Sequence, residues 1–125
     1  MSVETMTKLY ELKNIIGVKD ATGDLKRVEL QKKSMGNEFI QLTGNDDNAL
    51  EFNKLGGVGA IGVTANIAAK LSSDFQKACV EDKNKAIELN KILQPLHEAM
   101  FIESNPSPVK YLSLIHISEP TRRTI

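Results

Sequence analysis

Of the thirteen lysines in this sequence, only Lys19 stands directly at the end of an apolar, strand-like run, Asn14-Ile15-Ile16-Gly17-Val18. An amine held out of water is driven toward its uncharged form, because desolvation disfavours charge. An uncharged amine can attack a ketone and form an imine, which protonates to an iminium and draws electrons from the neighbouring carbon. A lysine at a strand end also commonly reaches into water, and its position alone leaves both readings open. The other chemistry-bearing patterns are weaker. Gly57-Val58-Gly59-Ala60-Ile61-Gly62 spells the dinucleotide fingerprint, but that fingerprint works where the glycines follow a strand and open a helix. Here they lead into a strand-like run, so close packing against neighbours is the better account. Asn45-Asp46-Asp47-Asn48 lacks the glycine and distal glutamate of a calcium loop, and Asp46 or Asp47 is expected to cap a helix instead. His97 and His116 share no ligand spacing with each other or with the single cysteine, Cys79. Cys79 reads as a small helix-packing residue. No metal site is expected.

The elements that would position Lys19 follow from periodicity. Residues 2–13 suit a helix, with Ser2 as cap, Glu4 in the first turn, and Val3, Met6, Leu9 and Tyr10 on one face. The run at 14–18 resembles a strand buried on both faces. After a turn at 21–24, a helix reaches about Met35 and turns Leu25, Val28 and Leu30 inward, with Gly36 ending it. A second strand is expected at 39–43, then a loop over 44–48, a short helix from Ala49 stopped by Gly56-Gly57, and a third strand at 60–64. Helices near 67–82 and 84–100 complete the pattern. The second of these carries Ile87, Leu89, Ile92, Leu93 and Leu96, and Pro95 is expected to kink it. The steps from Val18 to Leu42 and from Leu42 to Val63 are 24 and 21 residues. Strands so spaced, with helices between, indicate βα units of a parallel sheet. A full eight-unit barrel takes roughly 250 residues, so a chain of 125 is expected to hold about half of one. Three strands with helices on one side would leave one face uncovered. In such barrels the C-terminal strand ends carry the active site.

Four blocks in order and spacing resemble one family: NIIGVKDATGDLKRV (14–28), FIQLTGNDDNAL (39–50), LGGVGAIGVTANIAA (55–69) and PLHEAMFIESNPSPVKY (95–111). They are similar to the dihydrodipicolinate synthases, pyruvate-dependent aldolases that work through a lysine Schiff base. The resemblance implies an α/β fold, a partial (β/α)8 TIM barrel made of the last three βα units plus C-terminal helices. Residues 1–111 would be the C-terminal half of that domain. It further implies that Lys19 is the imine-forming residue and that Gly44 and Ile61 line the pyruvate pocket. The reaction would be condensation of pyruvate with aspartate semialdehyde in the lysine and diaminopimelate pathway, a lyase activity that needs no cofactor and no metal. The family's proton relay, carboxylate-binding loop and semialdehyde-binding arginine lie upstream of these blocks, so this chain alone is expected to be inactive. A sialic-acid or keto-deoxy sugar acid aldolase of the same superfamily, or a non-catalytic βα fragment, would carry much of the same sequence; the ESNPSPVK stretch favours the synthase. The family is typically homotetrameric, and Leu25, Lys26 and Leu55 fall where its subunits can touch.

Sixteen basic residues balance sixteen acidic ones, which gives no electrostatic basis for binding nucleic acid or an acidic membrane. No apolar run approaches the ~20 residues of a membrane span, and residues 1–13 lack a signal-peptide core. A cytoplasmic protein is expected. Residues 112–125, LSLIHISEPTRRTI, depart from the family pattern and resemble the translation of a sequencing adapter, so they are expected to be a non-family, artefactual tail.

Overall fold

The computed structural model describes residues 1–116. Residues 117–125, the greater part of the segment expected to be a non-family tail, lie outside the described residues. The chain divides into two compact units, Met1–Gly62 and Val63–Ile125.

The first unit holds helix α1 (Val3–Tyr10), strand β1 (Gly17–Asp20), helix α2 (Lys26–Met35), strand β2 (Ile40–Thr43) and helix α3 (Ala49–Lys54). Ser2 caps α1 as expected: its hydroxyl accepts from the Thr5 amide at 3.1 Å. Met6 is the buried residue of that helix, which packs on α2. β1 and β2 pair in parallel, with Gly17 opposite Ile40 and Asp20 opposite Thr43. This is a βαβ unit, and α2 is its crossover helix.

The link between α2 and β2 is partly polar. Gln31 donates from Nε2 to Oε1 of Gln41 at 2.7 Å, and Gln41 donates from Nε2 to the Val28 carbonyl at 3.0 Å. Both glutamines are buried beside Val28. A buried amide left without partners costs free energy, so these bonds fix which side of β2 meets the helix. Slippage by one residue would strand Gln41 on the opposite face. Tyr10 and Phe39 close the unit with an edge-to-face contact, their rings 4.9 Å apart.

Four expectations need correction. Leu30 is 53% exposed rather than inward; α2 turns Val28 and Gln31 to the sheet, which leaves Leu30 on its outer side. The first strand begins at Gly17, not Asn14, because Ile15 closes a turn by donating to the Leu12 carbonyl at 3.0 Å. Nor is it buried on both faces, since only Asp20 of its four residues is buried. Where a third strand was expected at 60–64, a single parallel bridge joins Ala60 to Thr43. Gly57, Gly59 and Gly62 crowd this stretch, and glycine weakens strands; the chain then enters a 3-10 turn at Thr64–Asn66.

The second unit contains that turn, α4 (Ala69–Glu81), α5 (Lys83–Ala99) and α6 (Ser107–His116). α4 and α5 pack together, separated only by Asp82, whose carboxylate caps α5 by accepting from the Asn84 and Lys85 amides. α5 runs without interruption through Pro95. Its five expected apolar residues do not share one face. Ala86, Leu93 and His97 are buried, whereas Ile92 is 57% exposed and Ile87 is also exposed. Adjacent helical positions are about 100° apart, so Ile92 and Leu93 cannot both face inward. Among the described residues, no helix is long and apolar enough to cross a membrane.

Leu93, at 1% exposure, fills the core of this unit. Leu93→Ala is expected to cost about 2–5 kcal/mol through lost burial and a residual cavity. Ile92→Ala next to it is expected to stay within about 0.5 kcal/mol. Urea unfolding of the two variants checks the assignment of the inward face.

Candidate active site

Side chains alternate along β1, so its two faces carry different chemistry. Val18 and Asp20 lie opposite Gln41 and Thr43, on the face that α2 covers. Lys19 lies opposite Leu42 and points to the other face. It is the third of four strand residues rather than the residue that follows the strand, and it is exposed. The packed, water-free setting expected for it is not built by the described residues. In a closed barrel, the face turned away from the helices lines the interior.

Asp20 anchors the strand end beside it. One carboxylate oxygen accepts from the Thr22 amide at 2.8 Å and from the Thr22 hydroxyl at 2.6 Å. The other accepts from Nε of Arg27 at 3.0 Å, and the two side chains are only 5% and 17% exposed. Arg27 also donates from Nη2 to the Met1 carbonyl at 2.8 Å. Burial alone would raise the Asp20 pKa, but the Thr22 bonds and the Arg27 guanidinium outweigh it and hold the group below its ordinary 3.8.

Two backbone rungs carry the site across the sheet. The Gly44 amide donates to the Asp20 carbonyl at 2.8 Å, and the Ile61 amide donates to the Thr43 carbonyl at 2.9 Å. Gly44 thus sits one residue beyond β2, pressed against β1. A Cβ there would stand 3.0 Å from Cε of Lys19 and 2.7 Å from Cβ of Ala21. Glycine at 44 leaves room for the lysine to lie across the end of β2. Lys19 and Gly44 are therefore brought together. Ile61 is joined to them through Thr43 and is 52% exposed.

The remaining sequence signals have structural settings. A Cβ on Gly57 would collide with the Phe52 ring, and one on Gly62 with the Asp46 carboxylate. These glycines serve close packing, and a three-residue 3-10 turn rather than a helix follows them. Asp46 begins a 3-10 turn, and the N-cap position of α3 is held by Asn48, whose side chain makes no capping hydrogen bond to the helix. Oδ1 of Asn48 accepts from the Thr43 hydroxyl at 2.8 Å. Cys79 is a partly buried free thiol on α4. His97 is buried on α5, with Nδ1 2.6 Å from the Thr64 hydroxyl. His116 is the last residue of α6. Among the described residues, no group of three or more histidine, cysteine, aspartate or glutamate side chains could hold a metal ion.

The model of the dihydrodipicolinate synthetase family matches residues 1–121. The chain belongs to that family. It is 62% identical to a 4-hydroxy-tetrahydrodipicolinate synthase of Pelagibacter ubique, over 98% of this chain and 47% of that protein. Among solved structures, the 4-hydroxy-tetrahydrodipicolinate synthase of Methylacidiphilum fumariolicum SolV superposes with a TM-score of 0.86 at 35% identity, over 90% of this chain and 38% of that one. The chloride-inhibited dihydrodipicolinate synthase of Acinetobacter baumannii, solved in complex with pyruvate, superposes with a TM-score of 0.82 at 40% identity, over 88% of this chain and 38% of that one. The chain is thus α/β and matches barrel-fold members of the family over about 90% of its own length, while spanning less than half of theirs.

Sequence reading passed over Asp20, Thr22 and Arg27, and the Thr64–His97 pair. For the first group a local signal existed. An aspartate two residues before a threonine, ahead of Gly23, favours a side-chain-to-backbone turn. The buried Thr64–His97 contact joins residues 33 apart and leaves no short-range pattern.

Because the folded-state pKa of Asp20 is lowered, the folded protein favours the ionised carboxylate. Its stabilisation is present above pH 3.8 and is lost as the pH falls from there through the folded value. Asp20→Asn is expected to destabilise the chain by about 1.5–3 kcal/mol at pH 7, the usual range for hydrogen bonds to a charged group. The loss should shrink as pH drops below 3.8. Unfolding midpoints of both forms between neutral and acid pH check the sign.

Proposed function

We propose that this chain is the C-terminal half of a complete (β/α)8 enzyme, its last three βα units and C-terminal helices, which condenses pyruvate with aspartate semialdehyde. The observation that carries this reading is the placement of Lys19. It stands on the strand face away from α2 and against Gly44, in a chain 62% identical to a 4-hydroxy-tetrahydrodipicolinate synthase.

Nζ of Lys19 attacks the keto carbon of pyruvate, and the carbinolamine expels water to leave an iminium. The iminium acidifies the adjacent methyl group. Loss of one of its protons gives an enamine, whose terminal carbon adds to the aldehyde. The amine of the second substrate then attacks the iminium carbon, closing a ring and releasing Lys19 as a free amine. Gly44 and Ile61 line the pyruvate pocket from the two neighbouring chain segments. The groups that move protons and bind the aldehyde come from the other half of the barrel, so the 125-residue chain alone does not turn over. Residues 1–111 belong to the C-terminal half of the catalytic domain. The complete enzyme works in the cytoplasm and associates with copies of itself, with Leu25, Lys26 and Leu55 near the contact.

Borohydride reduction in the presence of pyruvate tests the imine. In the complete enzyme, one reduced pyruvate adduct is expected on the peptide carrying Lys19, and Lys19→Ala should abolish both the label and the condensation. Labelling at another lysine, or full activity in Lys19→Ala, contradicts the assignment. Gly44→Val should slow labelling by about a hundredfold, the cost of shifting a reacting group by roughly 1 Å.

A further inference from the structure

Asp20 makes no contact with the proposed pyruvate pocket through its side chain, yet it grips both neighbours of the lysine's setting. Its carboxylate binds Thr22 in the loop after β1 and Arg27 on α2. Its carbonyl accepts from the Gly44 amide at 2.8 Å. It follows Lys19 directly, so the peptide that carries the lysine is held on three sides: to the crossover helix, to the following loop and to the end of β2. An exposed surface carboxylate would give little for such bonds. This one is 5% exposed and meets the guanidinium at 3.0 Å, an ordinary hydrogen-bond distance, in a setting where water competes little for either group.

The geometry points to Asp20, with Thr22 and Arg27, as a positioning clamp that sets where the Lys19 amine stands relative to Gly44. The clamp rests on the imine reading above and adds to it a group that touches neither substrate nor the reacting atoms. Lys19 has four rotatable bonds beyond its backbone, so its amine is only as well placed as the peptide it grows from. Without the clamp, the β1 end and the Gly44 rung loosen together, and the lysine samples orientations in which the ketone carbon is out of reach. The amine is still present and the pocket still binds pyruvate. The deficit therefore falls on the rate of bond formation rather than on saturation.

The test compares Asp20→Asn, Asp20→Glu, Thr22→Val and Lys19→Ala in the complete enzyme. The first-order rate of imine formation is read by borohydride quenching over a series of pyruvate concentrations. Asp20→Asn is expected to slow the saturating rate ten- to a hundredfold, with the half-saturating pyruvate concentration changed less than threefold. Thr22→Val keeps the ion pair and removes the hydroxyl's bond to Asp20 together with the exposed one it accepts from the Asp24 amide, so its loss should be about threefold to tenfold. Asp20→Glu restores a carboxylate and should recover most of the Asn deficit. Wild-type saturating rates in both Asp20→Asn and Thr22→Val would overturn the clamp while leaving Lys19 labelling intact. An unlabelled Lys19 in the unsubstituted enzyme would instead overturn the imine reading and the clamp with it. Should Asp20→Asn fail to fold, the folded Thr22→Val variant decides alone.

Discussion

The parallel register of β1 against β2 is the constraint from which the candidate site follows. With Val18 opposite Gln41 and Asp20 opposite Thr43, the alternation of a strand sends Asp20 to the helix and Lys19 to the free face. That register is pinned by polar groups as much as by apolar ones. Gln41 is committed to the Val28 carbonyl and to Gln31, and Asp20 to Arg27, all on α2. A shift of one residue would bury the lysine against the helix and expose two groups that need partners. The penalty for burying unpaired polar groups is steep, so this network selects a single pairing.

An imine-forming amine must be uncharged for part of the time and held steady. The described residues supply the second condition through the Asp20 anchor and the fit of Gly44. Lys19 itself is exposed. The chain spans 47% of the Pelagibacter relative's length, and the proposed interior of the barrel would be completed by the other half. Division of labour of this kind is natural in a barrel, where residues from several strand ends converge on one mouth. It also explains how a stretch could carry the proposed nucleophile and still be expected to lack turnover.

Much of the first unit was legible in the sequence, because α1, α2, β2 and α3 are announced by local signals: Ser2 at a cap, Gly36 and Gly56 at helix ends, and an apolar run at 39–43. The errors came where local pattern competes with contacts made later in the chain. Asn14 and Ile15 look like strand, but Ile15 is drawn into the turn that follows α1. Leu30 and Ile92 are apolar and point outward because Gln31 and Leu93 beside them take the inward positions. The stretch at 60–64 has strand composition and forms one bridge only. At the site, Lys19 could be picked out from its position in the run and, with Gly44 and Ile61, from the family resemblance. Of the clamp beside it, the Asp20–Thr22 turn has a local signature, but the Arg27 partner does not: it stands seven residues from Asp20, and only the folded arrangement brings the charges together.

A crystal structure of the complete enzyme with pyruvate would examine the central claim most directly. Unbroken electron density is expected from Nζ of Lys19 to the central carbon of pyruvate, with Gly44 against the lysine stem and Asp20 bound to Arg27. Pyruvate bonded elsewhere, or a β1 register shifted so that Lys19 turns toward α2, would contradict it.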